Sequence, residues 1–177
     1  MSILLQEGAI MDIYTISFFG HRRIGSESVA LEGRLEAEIR CLLDSKLYVE
    51  FLVGRNGDFD LLVSSVIHRL KRTYRNDNSS HIWVMPYLTA DYRNNEESYW
   101  DYYDSVEICE TGAHFNNAFK ARNHAMIERS DQVICYVRES EIKESGRKGT
   151  SGAYEAMRYA REAGVPCTNL AIQEEIK

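Results

Sequence analysis

Two arginines and a histidine follow the first apolar segment of the chain, in the run Gly20-His21-Arg22-Arg23. Cationic and hydrogen-bonding side chains placed just before a helix suit an anionic ligand, because the free amides of a helix N-terminus carry partial positive charge. Gly20, His21 and Arg22 are therefore candidate ligand-binding residues. A tight turn with solvated arginines fits the same residues equally well.

A second polar loop, residues 54–60, reads Gly-Arg-Asn-Gly-Asp-Phe-Asp. Its glycines allow close approach of the backbone to a ligand. Asp60 suits ribose hydroxyls better than phosphate, since a carboxylate in the first turn of a helix repels an anion there. Gly54, Arg55, Gly57 and Asp60 are candidate ligand-binding residues. The competing interpretation, slightly favoured by the pattern, is a turn followed by an aspartate that caps the helix.

The third loop, residues 145–152, is rich in glycine and contains Arg147 and Lys148. It leads directly into a predicted helix, so unpaired amides, hydroxyl groups and two cations converge, as they do in anion sites. The spacing of the P-loop motif is absent. We take Gly149, Thr150 and Ser151 as candidate ligand-binding residues, and a flexible surface loop is the alternative.

Two charged residues on predicted helices are further candidates. Arg122 shares an apolar stripe with Phe119 and Met126, and a cation on an apolar face needs a partner. It forms either a structural ion pair or, with the adjacent Asn123, part of a binding crevice. Glu155 in the last helix is a candidate nucleophile or stabiliser of a sugar cation, although such a glutamate more often complements the helix dipole.

These loops must be positioned by strands that alternate with helices. Apolar β-branched runs predict strands over residues 12–19, 48–53, 81–85, 132–137 and 165–168, and amphipathic runs predict helices over 27–45, from 58 onward, over 115–129 and over 151–163. This alternation predicts an α/β fold, a single Rossmann-like three-layer domain with a mostly parallel sheet of five strands or slightly more. Its ligand crevice is expected at the carboxyl edge of the sheet.

Composition narrows the class of protein. The chain has 177 residues, 44% of them hydrophobic, which fits one domain over residues 12–177 after an extension over 1–11. Its net charge of −6 counts against general nucleic-acid binding, and no apolar run is long enough to span a membrane. The four cysteines lack a CxxC spacing. We therefore predict a cytoplasmic protein without a metal or cofactor.

Residues 87–113 show no clear helical or strand period, and they carry the net charge of the whole chain in seven acidic residues and one arginine. Six aromatic residues lie there too. A loop this long is usually functional, and exposed aromatics favour contacts. The segment is a lid over the ligand, a surface for a partner or a second copy of the chain, or a partly helical excursion packed on its own domain.

The loops together resemble the SLOG superfamily of Rossmann-like nucleotide-ligand domains, and most closely its YpsA-like branch of bacterial proteins. Residues 19–22 resemble the family's opening Gly-His-Arg, and residues 54–60 stand where the family has a glycine-rich loop that ends in Phe-Asp. Residues 120–131 resemble its Lys-Arg-Asn…Ser-Asp segment. Arg55 and Lys148 stand where the family has glycines.

This resemblance implies binding or sensing of a small nucleotide-derived ligand similar to ADP-ribose. Related branches include phosphoribohydrolases, so an enzyme that cleaves or transfers at the N-glycosidic bond of a nucleotide is the alternative. In that enzyme Arg122 would neutralise the phosphate and Glu155 would act at the sugar. A protein-interaction module built on residues 87–113 is the third hypothesis.

Overall fold

Six parallel strands and five α-helices make up the fold in the computed structural model, which describes residues 12–110, 112, 114–139 and 151–171. The strands are β1 (Ile13–Gly20), β2 (Tyr48–Val53), β3 (Ser79–Met85), β4 (Ser105–Ile108), β5 (Gln132–Tyr136) and β6 (Cys167–Asn169). The helices are α1 (Ser28–Ser45), α2 (Asp58–Thr73), α3 (Ala90–Tyr102), α4 (Ala118–Glu128) and α5 (Gly152–Glu162).

Neighbouring strands are parallel throughout this sheet, in the order β4-β3-β2-β1-β5-β6. The predicted Rossmann-like α/β fold is therefore confirmed. The chain builds outward from β1 to β4 on one side and then returns to place β5 on the other side of β1. Strand order thus reverses between β1 and β5, and such a reversal opens a crevice at the carboxyl edge of a parallel sheet.

Apolar side chains cover both faces of the sheet. Helices α1, α2 and α3 supply residues such as Leu35, Val63 and Tyr99 to the core on one face. Helices α4 and α5 supply Met126 and Met157 to the core on the other face. Successive side chains of a strand point to opposite faces of the sheet, and helices cover both faces. The central strand β1 is therefore buried on both sides, and its sequence is a nearly continuous apolar run.

Helix α3 and strand β4 lie within the acidic segment that shows no clear period in the sequence. Tyr92 and Tyr99 are seven residues apart, and both are buried against Trp83. The remaining α3 positions are mostly polar and exposed, and Asn95 interrupts the helical backbone with φ −130° and ψ 22°. Two tyrosines among polar residues give too weak a stripe to predict a helix. The described part of this segment is packed on its own domain.

Most element boundaries lie within two residues of the predicted ones. Strand β3 begins two residues earlier than predicted, at Ser79, and the last strand is Cys167–Asn169 rather than 165–168. The helix predicted from residue 115 begins with a 3-10 turn, Phe115–Asn117, before α4. Among the described helices, none is both long and apolar enough to cross a membrane.

Candidate functional site

A cavity of about 430 Å³ lies at the carboxyl edge of the sheet, next to the reversal in strand order. The loops after β1 and β2, helix α4 and the N-terminus of α5 bound it. Eight of the predicted ligand-binding residues line it, namely Gly20, His21, Arg22, Gly54, Asp60, Arg122, Asn123 and Ser151. The fold thus brings loops that are far apart in the sequence to one place.

Arg122 supplies a buried cation to the wall of this cavity. It is 4% exposed, its Nη1 donates to the carbonyl oxygen of Val84 at 3.0 Å, and its Nε donates to Oδ1 of Asn123 at 3.0 Å. When the side-chain amide of Asn56 is oriented with its oxygen toward the guanidinium, that oxygen accepts a hydrogen bond from Arg122 Nη2 at 3.3 Å. Burial lowers the pKa of Arg122 and the nearby Asp60 opposes that shift, but arginine remains charged at neutral pH. A cation held in low-dielectric surroundings attracts an anion more strongly than a solvated one.

Asp60 is the acidic residue among the described residues that line the cavity. Its Oδ2 accepts a hydrogen bond from the Asn56 amide at 2.9 Å, so the carboxylate closes the loop after β2. Burial raises the pKa of Asp60, while the Asn56 amide and the charges of Arg122 and Arg22 act in the opposite direction. Gly54 makes room for these groups, because a Cβ there would lie 2.7 Å from Asp60 Oδ2 and 3.0 Å from Arg122 Nη1.

The loops after β1 and β2 hold each other in place. The Asp58 amide donates to the carbonyl of Arg22 at 2.9 Å, and its carboxylate accepts from the Ile24 amide at 3.2 Å. Gly57 packs on the Arg22 backbone, since a Cβ at position 57 would lie 2.6 Å from the Cα of Arg22. Gly57 therefore supports the loop but does not line the cavity. Asp58 is the first residue of α2, and the N-cap position belongs to Gly57.

His21 has a defined orientation at the end of β1. Its Nε2 accepts from the Arg138 amide at 2.8 Å, and its ring meets that of Tyr136 edge-on at a centroid distance of 5.9 Å. Because Nε2 is the acceptor in this bond, the neutral imidazole carries its proton on Nδ1.

The N-terminus of α5 closes the cavity. Ser151 caps this helix, and its Oγ accepts from the Tyr154 amide at 3.1 Å. Gly152 and Ala153 line the cavity. Their backbone N–H groups lie in the first turn of α5, where the helix offers no carbonyl oxygen to accept a hydrogen bond from them. The amides and the positive end of the helix dipole favour a negatively charged group at this position.

Arg55 is turned away from this cavity. Its guanidinium lies 5.1 Å from the ring centroid of Tyr99, and its Nη1 donates to the Tyr103 hydroxyl at 3.4 Å. Arg55 therefore connects the loop after β2 to two aromatic residues, Tyr99 in α3 and Tyr103 directly after that helix.

Glu155 lines an adjoining cavity of about 430 Å³ between α4 and α5. Lys120 and His124 line it too, and it shares Phe119, Asn123 and Gly152 with the first cavity. Burial lowers the pKa of His124, as does Lys120, while the negative charges of Glu128 and Glu155 oppose that shift. Gly149 and Thr150 lie outside the described residues.

Several residues of the cavity were not selected from the sequence. Asn56 lies between two candidate glycines, and Phe119 shares the helical stripe of Arg122, so both had a positional signal. Gly152 and Ala153 follow the predicted cap residue directly. Phe18 and Phe19 look like ordinary strand residues, and only the three-dimensional arrangement shows that they line the cavity.

In comparisons with known proteins, no family model matches this chain and no curated protein matches it. The resemblance of its loops to the SLOG superfamily therefore stays a prediction. The arrangement of side chains at the cavity carries the functional argument.

Proposed function

We propose that the cavity at the carboxyl edge binds a nucleotide, or a nucleotide-derived molecule similar to ADP-ribose, through its anionic group. The buried guanidinium of Arg122 beside the N-terminus of α5 is the observation that carries this proposal. Two independent sources of positive potential, one a full charge and one a helix terminus, face the same space.

The other groups of the cavity suit the sugar of such a ligand. Asp60 and Asn123 are hydrogen-bonding side chains beside the cations, and a carboxylate accepts from ribose hydroxyls but repels phosphate. A volume of about 430 Å³ falls within the range of small-molecule sites. We place the phosphate between Arg122 and α5 and the ribose toward Asp60.

Two neighbouring arginines provide a matched test. Both are exposed, but Arg22 lines the cavity and Arg23 is absent from its lining. Isothermal titration of ADP-ribose, NAD and nucleoside monophosphates should show weaker binding for Arg22→Ala than for the wild type, and unchanged binding for Arg23→Ala. No binding of any of these compounds to well-folded wild-type protein would refute the proposal.

Replacement of the buried arginine should have the larger effect. Arg122→Gln removes the charge but keeps a hydrogen-bond donor near Val84, and we expect affinity to fall about ten- to hundredfold. Circular dichroism and thermal unfolding of the same variant check that its fold is intact. Unchanged affinity in folded Arg122→Gln would rule out the assigned role.

Hydrolysis or transfer at the N-glycosidic bond is the second candidate function, because the cavity that Glu155 lines shares three residues with the first cavity. A ribose near Asn123 would then lie close to this carboxylate. Incubation with AMP followed by chromatography for free base tests for the reaction. If base is released and Glu155→Gln releases it at the same rate, Glu155 is not the catalytic group.

A further inference from the structure

Another cavity, separate from the one that Glu155 lines, has a volume of about 490 Å³, and we call it the second cavity. It lies farther along the same edge of the sheet, where β3 and β4 end. Tyr87, Leu88, Ile108 and Phe115 form much of its wall. Its lining residues are not used by the phosphate and ribose positions proposed above.

Exposed apolar side chains gather around this cavity. Ten large hydrophobic residues are exposed among the described residues, and four of them lie here or on its border: Leu88, Ile108, Phe115 and Phe119. Phe115 is 65% exposed. Single exposed apolar residues are ordinary, but a group of them beside a cavity marks a contact surface.

A row of aromatic contacts connects the two cavities. The Arg122 guanidinium lies 5.7 Å from the ring centroid of Phe119, which lines the first cavity. The Phe119 ring lies 5.8 Å from that of Tyr87, and Tyr87 lies 4.8 Å from Phe115 in the second cavity. These contacts place the two cavities beside each other at one edge of the sheet.

The second cavity suits a neutral flat ring better than another phosphate. Glu110 is the acidic residue of its lining, and the described lining contains no lysine or arginine. Burial raises the pKa of the Cys109 thiol, so this group stays neutral at neutral pH. Aromatic and aliphatic walls without a cation favour stacking and exclude an anion.

We propose that the second cavity holds the nucleobase of the ligand whose phosphate lies at Arg122. This inference rests on the proposed nucleotide binding and names the part of the ligand that determines selectivity. Stacking of a base on an aromatic side chain contributes about 1–3 kcal/mol. The base should therefore raise affinity about five- to 150-fold over the same ligand without a base.

Pairs of ligands with and without a base test this proposal by isothermal titration. AMP should bind wild-type protein at least about fivefold more tightly than ribose 5-phosphate. In Phe115→Ala that advantage should largely disappear, while the affinity for ribose 5-phosphate stays the same. Trp100→Ala, which removes an exposed aromatic residue of α3 outside both cavities, is the control and should behave like the wild type.

The outcomes separate this inference from the proposed function. Equal affinities for AMP and ribose 5-phosphate in the wild type would overturn the base site and leave anion binding intact. Equal weakening of both ligands by Phe115→Ala would also overturn it. If Phe115→Ala instead leaves AMP binding unchanged and converts a dimer to a monomer in sedimentation, the cavity belongs to a second copy of the chain and the inference is wrong. If neither ligand binds, the proposed function fails and this inference fails with it.

Discussion

At the residue scale, two glycines differ sharply in the space around them. Gly20 ends β1 against Phe59, and a Cβ at position 20 would lie 2.2 Å from a ring atom of that fully buried side chain. Gly33 is exposed on α1, and a Cβ there would meet nothing within 4 Å. The first glycine is required by packing at the candidate site, whereas the second only loosens a helix.

Alanine at these two positions should therefore change stability in opposite directions. Gly20→Ala should lower the free energy of unfolding by about 2–3 kcal/mol, because Phe59 or the strand must shift. Gly33→Ala should raise it by about 0.5–1 kcal/mol, because alanine favours the helix. Urea denaturation measures both, and destabilisation of similar size in the two variants would contradict this reasoning.

His81 is a second residue whose surroundings determine its chemistry. It is 1% exposed on β3, with the rings of Tyr102 and Tyr103 at 5.8 and 4.6 Å. Neither ring nitrogen has a hydrogen-bond partner among the described residues. Burial lowers the pKa of His81 to about 3, and the nearby His68 and Lys71 act in the same direction. The imidazole is therefore buried in its neutral form.

This burial predicts loss of stability in mild acid. The folded pKa of about 3 lies below the unfolded value of about 6.5, so the unfolded chain takes up the proton first as pH falls. The contribution of neutral His81 to the free energy of unfolding is fully present above about pH 6.5 and is lost progressively as the pH falls toward 3. Between pH 7 and 4.5 the wild type should lose about 2–3 kcal/mol more than His81→Phe, as measured by urea unfolding at each pH. An equal loss of stability in the wild type and in His81→Phe would contradict this prediction.

At the element scale, α5 combines structural and binding roles at its first turn. Ser151 caps it, and Thr89 caps α3 in the same way, with Oγ1 accepting from the Tyr92 amide at 3.1 Å. Only the α5 cap lies at the candidate site. The two caps therefore allow the effect of a lost cap on stability to be separated from its effect on binding.

Removal of either cap should cost about 1 kcal/mol of stability. Ser151→Ala should also weaken nucleotide binding severalfold, because the amides of Gly152 and Ala153 become less well ordered at the cavity. Thr89→Ala should destabilise by a similar amount with unchanged affinity. Thermal unfolding and titration of both variants measure these effects, and identical affinities in the two would show that the α5 terminus does not contact the ligand.

Local patterns predicted most elements but not all of the site. Gly54 and Asp60 were found because their loop follows an apolar strand and the carboxyl ends of parallel strands share one edge. The orientation of Arg55 was not predictable, because Tyr99 and Tyr103, which hold its side chain, belong to a segment without a visible period. The placement of β5 beside β1 depends on pairing between distant strands, and no local pattern encodes that choice.

At the scale of the whole molecule, the net charge and the candidate site are separate. Residues 87–113 carry a charge of −6 and the rest of the chain is neutral. Part of this acidity serves the fold. Asp104 accepts from the His81 amide at 2.6 Å and lies 3.1 Å from Lys71, and Glu107 pairs with Arg129 at 2.6 Å. An acidic protein of this kind can still bind a small anion, because the described lining of its cavity presents Arg22 and Arg122 against the single acid Asp60.

Adjacent aromatic residues on α3 test whether this acidic segment is an integral part of the domain. Tyr99 is 9% exposed and packs on Trp83 at a ring-centroid distance of 4.7 Å, whereas Trp100 is 48% exposed and donates through Nε1 to the Tyr92 hydroxyl at 3.0 Å. Tyr99→Ala should cost about 3–4 kcal/mol in urea denaturation, because it opens a cavity in the core. Trp100→Ala should cost less than about 1 kcal/mol.

If α3 instead worked as a detachable lid, both substitutions would be mild and Trp100→Ala would change ligand affinity. If it worked as a partner surface, Trp100→Ala would change the sedimentation of the protein. A large loss of stability for Tyr99→Ala alone, with sedimentation and affinity unchanged in Trp100→Ala, would establish α3 as part of the core that supports the sheet edge.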